Sequence, residues 1–215
     1  MSDNQTYENI EYMMNINTEW QFAKLPEVDI ESIEYMNQLD TSGCMFEDVT
    51  IPHTWYQDGN AYEGAVIYKR SLELEVASNQ NVFLQFQGAD RWCRVYVDDT
   101  YVGEHKGGYA AFALDITEQC KGKKEHEITV LLDNRSFDVI SPLAGDFTVF
   151  GGIYRDVNVI VTDQDCFDRT YYGTDGVIVC TDVDEAQNGV ASVETHLLKK
   201  SDIPLYVRYI CSNAI

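Results

Sequence analysis

The sequence is poor in basic residues and has no long apolar run. It contains 15 Lys and Arg residues against 36 Asp and Glu residues, which gives a formal charge of −21. Such a charge repels phosphate groups, so we expect no binding to nucleic acid and none to anionic membrane surfaces. No stretch of 18 apolar residues is present, which predicts that no helix spans a membrane.

Targeting signals and metal-binding spacings are also missing. The first residues, MSDNQTYE, contain neither the basic segment nor the apolar segment of a secretion signal. None of the six cysteines forms a Cys-x-x-Cys pair, so we expect no zinc site and no thioredoxin-like chemistry. Cys93 and Cys180 lie in apolar alternating runs, where a free thiol packs as a small hydrophobic group. These features predict a reduced, cytoplasmic protein without metal or cofactor.

The composition is that of a folded chain. At 215 residues, with 45% hydrophobic and 12% aromatic residues, the chain can build a sizeable core without disulfides or metals. Domains typically contain about 100–150 residues, so this length corresponds to one large domain or to one and a half.

The apolar residues repeat with a period of two along most of the chain. Alternation over residues 66–74, 82–87, 93–98, 128–132 and 157–162 is typical of half-buried strands. Short strands at this spacing, separated by turn sequences, predict an all-β sandwich. Ile30, Ile33 and Met36 follow a helical spacing, which favours either a short helix with Asp29 as its N-cap or a looped segment.

A second strand pattern begins near residue 166. It predicts strands around residues 177–183, 190–199 and 205–211, with residues 184–189 joining the first two as a hairpin. Three strands leave a sandwich core half covered. We therefore expect this region to be partly disordered, or paired with a second copy of the chain by strand exchange.

Five motifs follow one another in the first 160 residues. They are FEDVTIPHTW (46–55), YEGAVIYKR (62–70), LQFQGAD with VYVD (84–98), GEHKGGY followed by Phe112 and DIT (103–117), and GDFTVFGGIYRDV (145–157). In this order and spacing they resemble the N-terminal sugar-binding domain of glycoside hydrolase family 2. That family includes β-galactosidases, β-glucuronidases and β-mannosidases.

The resemblance implies a fold and a domain division. Residues 1–19 would be an N-terminal extension, 20–165 a jelly-roll β-sandwich, and 166–215 the incomplete start of an immunoglobulin-like β-sandwich. In the family a TIM barrel follows and holds the catalytic carboxylates. The resemblance thus describes a non-catalytic fragment of a retaining enzyme that acts on terminal β-glycosides, with β-galactosides as the preferred substrate class, in a parent that binds carbohydrate.

The motifs also supply candidate site residues. Asp146 lies in a long loop, where a carboxylate can either accept hydrogen bonds from sugar hydroxyls or cap its own loop. Trp55 and Tyr109 are candidates for stacking on a sugar face, with a core or interface role as the alternative. The structural motif residues are Pro52, His53, Gly107, Gly108, Gly151, Gly152, Arg155 and Asp156. Adjacent Arg155 and Asp156 should point to opposite faces and form separate ion pairs, and His53 and His105 should be hydrogen-bonded loop histidines.

No catalytic residue can be assigned. Retaining glycosidases use two carboxyl groups about 5–5.5 Å apart on a rigid support, and no pair in the sequence is marked for that task. A Walker loop, a Gly-x-Ser-x-Gly elbow and a dinucleotide fingerprint are absent. Two alternatives to the fragment stay open, namely a free-standing carbohydrate-binding module and a structural domain that forms homo-oligomers.

Overall fold

Two antiparallel sheets form the body of the protein. The computed structural model describes residues 12–25, 27–56, 62–135, 137, 140 and 150–210. The sandwich strands are β1 (Tyr12–Asn15), β2 (Trp20–Leu25), β3 (Glu47–Val49), β4 (Ala65–Glu73), β5 (Gln80–Phe86), β6 (Trp92–Val97), β7 (Thr100–Lys106), β8 (Phe112–Asp115), β9 (Glu125–Asp133) and β10 (Val157–Asp163). One four-residue helix, α1 (Thr117–Cys120), follows β8.

The strand order confirms the predicted all-β sandwich. One sheet has the order β1-β10-β5-β8 and the other has the order β3-β2-β4-β9-β6-β7. In the smaller sheet Val157, Val159 and Val161 of β10 lie opposite Phe86, Leu84 and Val82 of β5. These alternate residues face the larger sheet, so one apolar core fills the space between the sheets.

The sandwich begins earlier than the sequence indicates. Strand β1 pairs with β10 from Tyr12↔Val161 to Asn15↔Asn158, and Ile16 is fully buried in the core. The sandwich thus includes residues that the sequence assigns to an N-terminal extension. Tyr12 and Met13 are exposed on this edge strand, which is why β1 carries no clear alternation.

The segment 28–46 covers the outer face of the larger sheet. Instead of one short helix it forms two 3-10 turns, Ile30–Ser32 and Met36–Gln38, and Asp29 caps the first as expected by accepting from the Glu31 N–H at 3.1 Å. Arg94 donates to the Ile30 carbonyl at 2.8 Å and the Tyr96 hydroxyl donates to the Ile33 carbonyl at 2.6 Å. Side chains of the sheet therefore bind carbonyls that a continuous helix would use.

We expect the Tyr96→Phe substitution to lower the free energy of unfolding by about 1–2 kcal/mol. The change removes only a hydroxyl, yet it leaves the buried Ile33 carbonyl without that donor. Guanidinium unfolding followed by circular dichroism measures the loss. Tyr35→Phe is the matched control because Tyr35 is exposed, and its effect should stay within about 0.5 kcal/mol. Equal effects of the two changes would contradict this role for Tyr96.

Four strands lie among the described residues 166–210. Strand β12 (Val177–Val183) pairs with β13 (Gly189–Thr195) as the predicted hairpin, and β11 (Cys166–Phe167) pairs with β14 (Leu197–Leu198). The strand predicted over 205–211 is wrong for residues 205–210, which join no ladder among the described residues, while Cys211 lies outside them. Val179, Val183 and Val193 of the hairpin are exposed, and so is Cys180, contrary to the expectation that its thiol packs in a core.

A polar cluster joins this region to the sandwich. The Asp165 carboxylate accepts from the Ser201 hydroxyl, from the Ser201 N–H at 2.8 Å and from the Lys200 N–H at 2.7 Å, and these bonds lower its pKa. Lys200 Nζ donates to Asn81 Oδ1 at 2.5 Å. The hairpin strands pair within one chain, and the immunoglobulin-like assignment and strand exchange stay predictions. Within the described part of the chain, no helix has both the length and the apolar content that a membrane crossing needs.

Candidate functional site

Most of the predicted motif residues lie in one group of loops. We call residues 51–56, 88–91, 107–109 and 150–155 the loop cluster. The segment 150–155 runs through its middle. On one side it binds the 51–56 turn, through His53 N–H to the Ile153 carbonyl at 2.8 Å, and on the other side it binds Asp90. Motifs that are separated by up to about a hundred residues thus meet at one end of the sandwich.

Two glycines make the close approach in the loop cluster possible. Gly152 has a φ of +136°, and a Cβ at this position would collide with the His53 carbonyl oxygen and the Thr54 Cα. Its N–H donates to the Asp90 carbonyl at 3.1 Å and its carbonyl accepts from the Asp90 N–H at 2.9 Å. Gly151, with a φ of +58°, lies against the Trp55 ring. Any side chain at Gly152 would therefore push the segments apart.

The second glycine pair lies on the other side of the segment. Gly107 N–H donates to the Arg91 carbonyl at 2.9 Å, and the Gly108 carbonyl accepts from the Tyr154 hydroxyl. A Cβ on Gly108 would collide with the Asp90 carboxylate, which is half-buried there. Burial raises the pKa of Asp90, while the Arg91 guanidinium and the Gly151 N–H oppose that rise.

Arg155 and Asp156 bind different partners, as expected, but neither forms the predicted ion pair among the described residues. Arg155 donates to the Tyr109 carbonyl at 3.1 Å and more weakly to the Gln87 carbonyl at 3.3 Å. Asp156 accepts from the Asn17 side chain at 2.8 Å. Both side chains are exposed, so neither neutralises a buried charge; Arg155 holds loop backbone and Asp156 holds the Asn17 side chain.

Trp55 packs inside the protein and does not face a ligand. Its side chain is 6% exposed, its ring stacks on Phe22 with centroids 6.1 Å apart, and its indole N–H donates to the Tyr62 carbonyl at 2.9 Å. These contacts favour the core-anchor alternative over sugar stacking. Pro52 follows a cis peptide bond at the start of the same turn, three residues after β3 ends.

Tyr109 is different, because 72% of its side chain is exposed. Its loop is held from both sides, by Tyr154 at the Gly108 carbonyl and by Arg155 at its own carbonyl. An exposed ring on a fixed backbone suits a carbohydrate platform. The other candidate, Asp146, lies outside the described residues. Phe150 is also exposed at 53%, and its ring contacts Tyr56 edge to face at 5.0 Å.

The two candidate histidines lie against aromatic neighbours, and His105 belongs to strand β7 rather than to a loop, contrary to the expectation. His53 Nδ1 lies 2.8 Å from the Tyr68 hydroxyl, and the His105 ring stacks on Phe112 with centroids 4.4 Å apart. Burial lowers the pKa of both rings below 6.5, although nearby Glu47 works against the shift at His53. Both rings are therefore neutral at pH 7. The predicted hydrogen bond is present at His53, whereas the buried Nε2 of His105 has no partner in the described structure.

These lowered pKa values predict acid-sensitive stability. Just below pH 6.5 the unfolded chain binds more protons than the folded chain, so the free energy of unfolding must fall as the pH drops. The slope is at most about 1.4 kcal/mol per pH unit for each ring. Guanidinium unfolding at about pH 7 and about pH 5 measures it. His105→Gln should reduce the slope, and an unchanged slope would contradict the assignment.

Sequence reasoning missed three residues that hold the loop cluster together, two of them within it and one on strand β4. Asp90 and Tyr154 hold the two glycine pairs together, and Tyr68 orients His53 from strand β4. Each residue lies within or beside a quoted motif. Their function depends on partners that are distant in sequence, such as Gly152, which lies 62 positions after Asp90, so no local spacing indicates it.

Comparison with known proteins identifies this arrangement. Residues 5–163 match the family described as "Glycosyl hydrolases family 2, sugar binding domain". The chain belongs to glycosyl hydrolase family 2. In this member of the family, the matched region comprises almost the whole two-sheet sandwich together with the loop cluster.

Relatives of this family 2 chain carry two activity names. It is 32% identical over 161 residues to a β-glucuronidase of Bacteroides fragilis, and 31% identical over 153 residues to a β-galactosidase of Thermoanaerobacterium thermosulfurigenes. These alignments cover 71% and 69% of the chain but only 23% and 21% of the relatives. A crystal structure of Bacteroides uniformis β-glucuronidase superposes with a TM-score of 0.66 at 31% identity, covering 81% of this chain and 21% of that one.

Proposed function

We propose that the chain is the non-catalytic sugar-binding segment of an enzyme that hydrolyses terminal β-glycosides. The observation that carries the proposal is the loop cluster, in which the family's motifs meet and leave the Tyr109 ring exposed on a fixed backbone. The names of the relatives, β-glucuronidase and β-galactosidase, support the substrate class.

The catalytic pair belongs, in this proposal, to the part of the relatives that the chain does not cover. The chain spans less than a quarter of the two curated relatives. A retaining mechanism needs two carboxyl groups about 5–5.5 Å apart, and the exposed carboxylates of the hairpin, Asp182 and Asp184, are surrounded by solvent rather than by a pocket. The described residues therefore act by binding and by scaffolding.

Chromogenic β-galactosides and β-glucuronides test this role directly. We expect the purified chain to release no chromophore above the buffer rate from either substrate. Release that co-purifies with the chain would contradict the non-catalytic assignment. The relatives' names do not choose between the two sugars, so the preference for β-galactosides stays a specific prediction, and turnover of the two substrates by the full-length protein decides it.

The proposals on localisation and assembly rest on the sequence features alone. We propose a cytoplasmic protein, which cell fractionation tests. Homo-oligomer formation stays an open alternative, and light scattering of the purified chain distinguishes a monomer from an oligomer.

The alternative of a free-standing carbohydrate-binding module predicts that titration with galactose, lactose or glucuronic acid releases or absorbs heat. That alternative fails if sugar at millimolar concentration gives no heat.

A further inference from the structure

The turn between β12 and β13 ends in the dipeptide Asn188-Gly189, and an Asn-Gly pair occurs only once in the sequence. In such a pair the main-chain nitrogen of glycine can attack the side-chain amide carbon of asparagine, because glycine has no side chain that hinders the approach. Both residues are exposed. Within the described chain, no atom beyond the adjacent residues lies within 4 Å of a Cβ built on Gly189. Water and open space therefore surround the pair.

The strand register leaves the Gly189 N–H outside the ladder. Gly189 lies opposite Val183, and the Asp184 N–H donates to the Asn188 carbonyl at 2.9 Å. Since that bond flanks the Val183↔Gly189 pair, this pair is one of those in an antiparallel ladder that exchange no hydrogen bond. The Gly189 N–H then points away from β12, to the side of β13 on which the described chain places no strand. The sheet thus leaves the attacking nitrogen accessible.

The Asp184 carboxylate binds the amide that would be attacked. Its Oδ2 accepts from Asn188 Nδ2 at 2.9 Å, and its Oδ1 accepts from the Asn188 N–H at 2.8 Å. These bonds, together with one from the Ala186 N–H, lower the pKa of Asp184, so the carboxylate is an anion at neutral pH. An anion at this position opposes the negative charge that develops on the Asn188 carbonyl oxygen during attack. Asp184 should therefore slow the reaction.

We propose that Asn188 is a site of spontaneous covalent modification, in which Gly189 closes a succinimide ring and Asp184 restrains the rate. The Gly189 nitrogen forms a bond to Asn188 Cγ and the Cγ–Nδ2 bond breaks. The amide nitrogen leaves as ammonia and takes the proton of the Gly189 N–H with it. Water then adds to either ring carbonyl and opens the ring to aspartate or to isoaspartate. The reaction needs water alone, since no atom changes its oxidation state.

Either product changes the hairpin turn. Aspartate replaces the Asn188 donor by a second carboxylate that faces Asp184, and two like charges at hydrogen-bond distance repel each other. Isoaspartate adds a carbon atom to the main chain before Gly189, which displaces the pairing of Gly189 with Val183. The modification loosens the hairpin as the protein ages, and it does not depend on the proposed sugar-binding role.

Peptide mass spectrometry of the purified chain, aged at neutral pH and physiological temperature and compared with an unaged sample, tests the proposal. We expect the peptide that contains Asn188 to gain the mass difference between an amide and a carboxylic acid, and to accept a methyl group from isoaspartyl methyltransferase. Asn79 is the internal control. It is also exposed in a turn, but the N–H of the following Gln80 donates to the Ala77 carbonyl at 3.1 Å. The peptide that contains Asn79 should stay unchanged.

Two variants separate the roles of Gly189 and Asp184. Gly189→Ala should slow the conversion about tenfold, because the methyl group crowds the attacking nitrogen, while the open space around it preserves the fold. Asp184→Asn keeps the size of the side chain and removes its charge. It should accelerate the conversion about fivefold, because a neutral acceptor binds the amide less tightly and no longer opposes the developing charge. Circular dichroism verifies that both variants are folded.

Three results would contradict the proposal. Conversion of Asn188 that is no faster than conversion of Asn79, or equal rates in Gly189→Ala and wild type, would overturn the modification site. A rate in Asp184→Asn that does not exceed the wild-type rate would overturn the restraint by Asp184.

Discussion

A Gly152→Ala substitution should lower the free energy of unfolding by about 3–4 kcal/mol. At a φ of +136°, an L-residue is strained before any contact is considered. The added methyl group would also meet the His53 carbonyl and the Thr54 Cα, which are backbone atoms that cannot rotate away. Relief requires the 51–56 turn to move, or the paired hydrogen bonds between Gly152 and Asp90 to break.

Gly43→Ala is the matched control for this change. No atom lies within 4 Å of a Cβ built on Gly43, so alanine there should be neutral or stabilising by up to about 1 kcal/mol. Guanidinium unfolding followed by circular dichroism measures both variants, with the denaturant slope compared to detect changes in the unfolded state. If Gly152→Ala lowers the free energy of unfolding by less than about 1 kcal/mol, the loop cluster adapts easily to the added methyl group and is not rigid.

The strands of the sandwich could be predicted from the sequence where one face of the strand lies in the core. In β5 and β10 the inward residues alternate and produce a clear period of two, although Phe83 and Ile160 are buried on the opposite face as well. Edge strand β1 has exposed Tyr12 and Met13, so its pattern is lost. The opposite error occurs at 205–210, where alternation indicates an extended chain but a ladder also needs a neighbouring strand.

The sequence motifs indicated which segments form the loop cluster, but not how their side chains are oriented. The glycine pairs of the motifs lie in the loop cluster, where a Cβ on Gly152 would meet backbone atoms and a Cβ on Gly108 would meet the Asp90 carboxylate. Whether an aromatic residue in such a motif faces solvent or core depends on partners elsewhere in the chain. Trp55 is enclosed by Phe22 and Tyr62, whereas Tyr109 is 72% exposed, and the local sequences around them do not reveal the difference.

Because Trp55 is buried and Tyr109 is exposed, we expect truncation of the two side chains to change the stability by very different amounts. Trp55→Ala should cost about 3–5 kcal/mol of stability because it empties a packed position beside Phe22 and Gly151. Tyr109→Ala should change stability by less than about 0.5 kcal/mol, since most of its ring already contacts solvent. Trp55→Phe keeps much of the packing and loses the hydrogen bond to the Tyr62 carbonyl, so a loss of about 1–2 kcal/mol is expected.

Sugar binding measured on the same variants separates anchor from platform. If Tyr109 is a platform, Tyr109→Ala weakens binding of oligosaccharides while the protein remains as stable as wild type. Trp55→Phe should leave Tyr109-dependent binding intact, because Trp55 is 94% buried and offers no ring face to a sugar. A Trp55→Ala variant that keeps full stability but loses sugar binding would reverse the two assignments, and it would place the platform in the 51–56 turn.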